Sequence, residues 1–410
     1  MGSDKNNYLT LEDVELKNKR VLLRIDVNSP MDPVSKRILD DSRFRSHVGT
    51  LKALRNSKTV LLAHQSRPGR KDFTTMEKHA SKLSEILNRE VKYIDDIFGK
   101  RAQKEINKMN NGDIIFLENI RFYSEEVLER EDEKQKETFL VKNLSPLFNY
   151  YINDAFAAAH RPHPSIVGFP QTLPSLAGKL MEKEIKTLES MIEDNGKTYF
   201  VLGGVKVKDS LKVMENLLER DEASKIFTTG VLSILFLDSK GIDIGKKNKE
   251  FLENEIEYQK QSKRAIELLE KYQDKIEIPE DVAINKEGER EDVSVEKIPD
   301  EYRIEDIGIE TIVNYSEKLK DGQKIVMNGP AGVFEKDKFS IGTEELQRTT
   351  TESEAYSIIG GGHICTAAEE CGLKNYFDHV STGGGALMNF FSSDQLPALR
   401  LLEESKEMYS

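Results

Sequence analysis

Four β-rich runs in the first half of the chain end in side chains suited to binding anions. VLLRIDVNSP supplies Arg24, Asp26 and Asn28, and LLAHQSRPGR supplies His64 and Arg67. LENIRFY supplies Arg121, and NDAFAAAHRPHPS supplies His160, Arg161 and His163. Arg43 adds a cation in the first turn of the helix expected after the first run. A single arginine is an ordinary solvated residue. Four successive strand ends that deliver cations to one side of a sheet describe a pocket, because ligands of open α/β sheets gather beyond the carboxyl ends of the strands. Guanidinium groups grip phosphate and carboxylate in bidentate fashion, so the expected ligand is a small, multiply charged anion. Asp26, on a buried strand, needs a paired cation, and a neighbouring arginine is the expected partner. His64 and His160 read equally well as substrate contacts or as satisfied structural residues, and His163 reads as the latter.

The second half ends its strands in glycine instead. The junctions are LGGVKVKDS (202–210), TTGVLS (228–233), MNGPAGVFE (327–335), IIGGGHIC (358–365) and STGGGA (381–386). Any one of these is turn punctuation, but five in one region make a surface where backbone amides can approach a polyphosphate. Neither triple glycine continues as GxGxxG with an acidic ribose reader behind it, and GxxxxGK[ST] does not occur. An arginine-lined pocket and a glycine-lined phosphate surface together point to phosphoryl transfer between two ligands held on facing domains. That chemistry needs in-line positioning and charge neutralisation more than a nucleophilic side chain. Lys206, at a strand-to-helix junction, is placed to stabilise the moving phosphoryl group.

The elements that must position these residues alternate as βα units, which predicts parallel sheets. Strands are expected at 21–27, 59–64, 113–120 and 150–155, then at 198–202, 225–229, 281–284, 324–328, 356–359 and 377–381. Helices are expected behind Asp40-Asp41-Ser42, around Leu83, Ile86 and Leu87, over Glu133–Leu147 and over Asn248–Tyr272. A boundary belongs near 170–185, where FPQTLPSLAGKL concentrates Pro and Gly ahead of the helical MEKEIKTLESMIE. Leu396, Leu399 and Leu402 at helical spacing predict that the tail docks. At 410 residues two domains are the natural prior. A hydrophobic content of 38% fits a soluble globular protein. No apolar run is long enough to cross a bilayer, and the polar start MGSDKNNYLT lacks an apolar signal core. A net charge of -12 argues against a wholly basic nucleic-acid binder. Cys365 and Cys371 cannot frame a disulfide scaffold and are expected as buried thiols in a reducing cytoplasm.

At these motifs the chain resembles the phosphoglycerate kinase family over nearly its whole length. RIDVNSP is similar to the family's RxDxNxP, AHQSRP to SHxGRP, ENIRF to ENLRF, and DAFAAAHRPHPSIVG to DAFGxAHRxHxSxxG. GGVKV, NGPAGVFE, GGGH and STGGGA resemble the nucleotide-side signatures, and GGGH in place of GGGD is similar to the archaeal branch. The resemblance implies two Rossmann-like α/β domains, each a mainly parallel sheet with helices on both faces, joined by a hinge. Residues 1–175, joined by the tail 393–410, would bind phosphoglycerate; 176–190 would be the interdomain helix and hinge, and 191–392 the nucleotide domain. The implied reaction exchanges a phosphoryl group between 1,3-bisphosphoglycerate with ADP and 3-phosphoglycerate with ATP, using magnesium, in cytoplasmic glycolysis and gluconeogenesis. A monomer or a homodimer is expected, with no nucleic-acid or membrane partner.

Carried over by position, Arg24, Asp26, Asn28, Arg43, His64, Arg67, Arg121 and Arg161 would bind the phosphoglycerate, and Arg43 and Lys206 would stabilise the transferring group. Gly203, Gly204, Lys206, Lys208, Gly230, Asn328, Pro330, Gly332, Gly360, Gly361, Gly362, His363 and Ile364 would hold the nucleotide, with Glu335 at the ribose. Three departures stand out. Ser210 occupies the place of a second lysine, for which Lys208 is a substitute. Ile364 replaces a threonine. His363 replaces a carboxylate that can meet magnesium; since imidazole is a poor ligand for that hard cation, His363 is expected to hydrogen-bond phosphate or metal-bound water, leaving Asp209 as the protein oxygen for the metal. Two other readings stay open at this stage: a two-domain kinase for a different carboxylic or sugar phosphate, and a hinged binding protein that clamps an anion without chemistry. A nicotinamide dehydrogenase is disfavoured by the missing fingerprint.

Overall fold

The structure, a computed structural model, describes residues 6–193, 196–392 and 395–409. The start MGSDK and parts of the expected nucleotide domain and tail, 194–195, 393–394 and 410, lie outside the described residues. The chain divides into two units, Met1–Lys186 with Gln395–Ser410, and Thr187–Asp394.

The first unit is built on β1 (Leu9–Thr10), β2 (Arg20–Arg24), β3 (Lys58–Leu62), β4 (Lys92–Ile94), β5 (Ile114–Leu117), β6 (Tyr150–Asn153) and β7 (Ser175–Ala177). They form one sheet in the order β1-β7-β6-β2-β3-β5-β4, parallel at every pairing. Successive residues feed opposite faces. Val21, Leu23 and Leu61 enter one core with Leu83 of the helix Glu77–Leu87. Leu22, Val60 and Leu62 enter the other with Ile106 of the helix Lys100–Asn107. Covering both faces is what continuous apolar runs in a parallel sheet require. The tail forms the helix Pro397–Tyr409 and packs on this unit. Ala398 N donates to Ala159 O at 3.1 Å, and Ser175 N to Ser405 Oγ at 2.9 Å.

In the second unit β8 (Thr198–Leu202), β9 (Lys225–Thr228) and β10 (Ile276–Glu277) precede three strands of a separate sheet, β11 (Asp281–Lys286), β12 (Glu289–Ser294) and β13 (Arg303–Ile307). Then β14 (Lys324–Asn328), β15 (Tyr356–Gly360) and β16 (His379–Ser381) complete a parallel sheet ordered β10-β9-β8-β14-β15-β16. The expected strand 281–284 is present within β11, but it joins the separate sheet rather than the parallel one, antiparallel to both β12 and β13. Glu287 (φ 55°) and Gly288 (φ 93°) form a two-residue hairpin of the kind that needs two positive φ values. The expected helix Asn248–Tyr272 is interrupted at Ile256, which is extended, giving Lys246–Glu255 and Tyr258–Tyr272. Glu133–Leu147 is likewise broken into short turns, Asp132–Gln135, Phe139–Leu144 and Ser145–Leu147. Cys365 and Cys371 form no disulfide and are half-buried rather than buried.

Asp281 shows how the small sheet is tied to the larger one. The helix Ile309–Leu319 starts at Gly308, which has no side chain to cap it. Asp281 reaches across and accepts from Glu310 N (3.0 Å), Thr311 N (2.7 Å) and Thr311 Oγ1 (2.7 Å). A Cβ on Gly308 would sit 2.2 Å from that carboxyl. Replacing Asp281 with alanine orphans buried donors, and chemical denaturation should show a loss of about 2–3 kcal/mol.

Candidate functional site

The carboxyl ends of β2, β3, β5 and β6 open on a concavity of about 600 Å³. Its walls carry Asn28, Ser66, Arg67, Arg70, Arg121 and Arg161, with His163, Asp72 and Val127 at the margin. Arg67 and Arg70 are exposed on the loop after β3. Arg121 lies in the short turn Ile120–Phe122, where Asn119 Oδ1 accepts its amide at 3.1 Å. One arm of Arg121 donates to Ser66 O, and its buried Nε has no partner among the described residues. Burial, with Arg161 and Arg24 nearby, pulls Arg121 down to about 10. Guanidinium groups crowded in this way are relieved by an anion placed among them.

Asp26 is buried and paired with Arg43. Its Oδ1 accepts from Asn28 N at 3.0 Å, and Asn28 Oδ1 accepts from Ser66 N at 2.8 Å. Burial acts to raise the Asp26 pKa, but Arg43, the Asn28 amide and Arg24 outweigh it and hold the carboxyl well below the usual range. Beneath it His47 stands 3.1 Å from the Asp26 amide and 2.8 Å from Asp154 Oδ2. Asp154 Oδ1 accepts from Leu180 N at 2.9 Å, capping the helix Lys179–Glu193.

Arg24 and His64 are not brought to the wall. Arg24 is 1% exposed. Its Nε donates to Ser165 Oγ (3.0 Å), one arm donates to Ile25 O, and another meets His64 Nδ1 at 2.9 Å. Arginine only donates, so His64 Nδ1 accepts and the neutral ring carries its proton on Nε2. Burial first, then Arg24, keeps His64 far below the ordinary imidazole value. The strand position that made Arg24 look like a site residue places it inside the sheet, where it supports the floor.

The same burial sets an acid limit. Burial lowers His79 to about 4, and burial with Arg161 lowers His163 to about 3. An imidazole whose folded pKa lies below its unfolded value of about 6.5 binds fewer protons in the fold. Its stabilisation is complete above that value and is lost as pH falls toward the folded one. Asp306, raised to about 6 by burial against the pull of Arg290, acts in the opposite sense. A paired comparison therefore isolates His79: between pH 6 and 5, urea unfolding of the wild type should lose about 1 kcal/mol more than that of His79→Gln.

In the second unit, β8, β9 and β14 end in glycines that pack backbone against backbone. A Cβ on Gly203 would meet Thr229 Oγ1 at 2.3 Å and Pro330 O at 2.5 Å. Gly204, Gly230 and Gly329 have φ of 76°, 56° and 82°. The result is a cavity of about 230 Å³. Gly204, Gly230, Pro330, Gly332, Glu335 and His363 line it. Asn328 donates to Gly360 O and so ties β14 to the glycine loop before the helix Gly362–Glu370. Gly361, at φ 121°, is the cap position of that helix. His363 is exposed, its ring 6.0 Å from that of Phe334. Ile364 is 1% exposed and packs into the core, so only its backbone faces the loop.

Lys206 is exposed at the cap position of the helix Val207–Glu219, and Asp209 is exposed in its first turn. Lys208 stands 3.7 Å from Glu257. Ser210 is buried. Among the described residues no group of three or more His, Cys, Asp or Glu side chains assembles to hold a metal, and no helix is long and apolar enough to cross a membrane. Sequence reasoning missed Arg70, although it follows Arg67 by three residues in the same loop. It also missed Phe251, Arg303, Glu305 and Asp306 in the second cavity.

Comparison with known proteins gives one consistent result. A family model described as phosphoglycerate kinase matches residues 11–394. The chain is 51% identical over 403 residues to the phosphoglycerate kinase of Methanothermus fervidus, covering 98% of each chain. It is 48% identical over 395 residues to that of Archaeoglobus fulgidus, covering 96% of each. Among solved structures, the phosphoglycerate kinase of Pyrococcus horikoshii matches with a TM-score of 0.90 and 42% identity, covering 98% of this chain and 100% of that one. That of Coxiella burnetii gives 0.79 and 30%, covering 97% of this chain and 99% of that one.

Proposed function

The chain belongs to the phosphoglycerate kinase family, and from that premise we propose that its two cavities hold the two partners of the family's reaction. Phosphoglycerate kinases exchange a phosphoryl group between 1,3-bisphosphoglycerate with ADP and 3-phosphoglycerate with ATP, and this chain is a kinase of that kind. The observation that carries the site assignment is the wall of four guanidinium groups in the first unit, Arg67, Arg70, Arg121 and Arg161. It suits a ligand bearing a phosphate and a carboxylate. Asp26 fixes Arg43, and Arg24 and His64 hold the floor from below.

The glycine-lined cavity takes ADP or ATP. Phosphates approach the bare backbone at Gly203, Gly204 and Gly360–Gly362 and the start of the helix Gly362–Glu370, with Glu335 toward the ribose. Transfer runs in line once residues 176–190 let the domains 1–175 and 191–392 close. Arg43 and Lys206 then meet the charge that develops on the moving group. Asp209 fits magnesium, which is commonly held by one or two carboxylates together with substrate phosphates and water; when bound, the ion neutralises phosphate charge. His363 would donate a hydrogen bond to a nucleotide phosphate or to water around the ion. His363→Ala should raise the magnesium concentration needed for half-maximal rate about tenfold, and an unchanged requirement would make it a mere helix-start residue. A cytoplasmic location, where the two cysteines stay reduced, completes the proposal.

A coupled assay across a panel of carboxylic and sugar phosphates tests the assignment. Marked preference for 3-phosphoglycerate is expected. Equal use of unrelated acceptors would favour another small-molecule kinase, and binding of nucleotide without turnover would favour an anion-clamping protein.

A further inference from the structure

Asp26 fixes Arg43 in the first unit, and Asp26 is itself held from below by a buried imidazole. His47 directly follows the short helix Ser42–Ser46 that carries Arg43. Its Nδ1 lies 2.8 Å from Asp154 Oδ2. An ionised carboxyl only accepts, so Nδ1 carries the proton. Nε2 of the neutral ring then accepts from Asp26 N at 3.1 Å. The ring thereby joins the backbone of Asp26 to the side chain of Asp154.

Asp154 is buried, and its other oxygen takes the amides of Leu180 (2.9 Å) and Met181 (3.3 Å) at the start of the helix Lys179–Glu193. The approach is so close that a Cβ on Gly178 would sit 2.1 Å from Asp154 Oδ1. The amide of Lys179 goes to Thr50 Oγ1 at 2.9 Å. Asp154 and Thr50 therefore cap the helix without help from the imidazole, and what His47 adds is the tie to Asp26. The first unit ends within this helix at Lys186, and residues 187–193 belong to the second. A continuous chain of polar contacts runs from the helix start through Asp154, His47 and Asp26 to Arg43.

We propose that His47 is a positioning residue for phosphoryl transfer: it holds Asp26, and through Asp26 the Arg43 guanidinium, in register with the start of the helix Lys179–Glu193. This rests on the reading of Arg43 as a group that meets the moving phosphoryl. Movement at 176–190 reaches Arg43 along this path. Misplacing a transition-state group by about 1 Å can cost about 100-fold in rate, so His47 acts on the reaction without touching a substrate.

The test measures steady-state rates with 1,3-bisphosphoglycerate and ADP in variants that divide the ring in two. In His47→Asn the side-chain amide falls near the place of Nδ1 and keeps the bond to Asp154. In His47→Gln it falls near the place of Nε2 and keeps the bond to Asp26. Each variant breaks the tie on one side, so both should lower kcat about tenfold or more and leave the KM for ADP within about twofold of the wild type. Thr50→Val removes another bond at the same helix start, leaves the imidazole alone, and should keep the wild-type kcat. In an Arg43→Ala background, adding His47→Gln should cost less than about twofold further in kcat, whereas an independent structural defect would multiply with the first. Wild-type kcat in either His47 variant overturns the proposal. So does a multiplicative loss in the double variant, or a loss in Thr50→Val equal to that of the His47 variants. Undiminished kcat in Arg43→Ala alone would instead overturn the reading of Arg43 on which the proposal rests.

Discussion

Replacing Lys206 with alanine should lower kcat by about 10²–10³-fold, the usual consequence of removing one preorganised charge from a transition state. Lys206 follows Gly203 and Gly204 at the end of β8, and its ammonium is exposed with no ion pair among the described residues. Nothing in the fold consumes its charge, so nothing in the fold suffers when the charge goes. The KM for ADP should move little, because a group that acts on the moving phosphoryl contributes mainly in the transition state. Lys206→Arg keeps the charge and should recover part of the rate. Steady-state rates in both directions check this, and a variant that raises only KM would reassign Lys206 to ground-state binding.

The second large effect is expected at Arg121, with stability and affinity responding differently. Arg121→Met removes one of several crowded guanidinium groups and one bond to Ser66 O. Loss of the bond and relief of repulsion from Arg161 and Arg24 oppose each other, so the melting temperature without ligand should stay near that of the wild type. The KM for 3-phosphoglycerate should rise on the order of 100-fold, since a buried charge that meets its partner only on binding is lost. Nucleotide KM should not follow. Thermal melts beside initial rates read both quantities, and a destabilised variant with unchanged KM would mark Arg121 as structural.

Much of the framework was legible because parallel strands buried on both faces leave continuous apolar runs. Val21 to Leu23 and Thr198 to Leu202 are of that kind, and glycine or arginine follows at their ends. The short edge strands β1, β4 and β10 and the short inner strand β7 carry two or three residues each, too few for a period to show. The antiparallel sheet hid for another reason. Its central strand, DVAI, reads like any parallel-sheet strand, while its partner EREDVS is charged nearly throughout and is held by a hairpin turn. At the site, strand-end logic located Arg67, Arg121 and Arg161, but it could not tell that Arg24 turns into the sheet while its neighbours turn out. Arg24 is the last residue of β2 itself, whereas Arg67, Arg121 and Arg161 lie four or more residues beyond the ends of their strands. Arg303 gave no signal at all, since its place in the second cavity comes from a strand in a different sheet.

A single-turnover experiment tests the central claim most directly: 1,3-bisphosphoglycerate and ADP are mixed with enzyme in excess, and ATP is followed, with binding of each ligand measured separately. Stoichiometric ATP, formed rapidly by the wild type and slowed about 10²–10³-fold by Lys206→Ala, is the predicted result. Binding of both ligands with no ATP formed would contradict it.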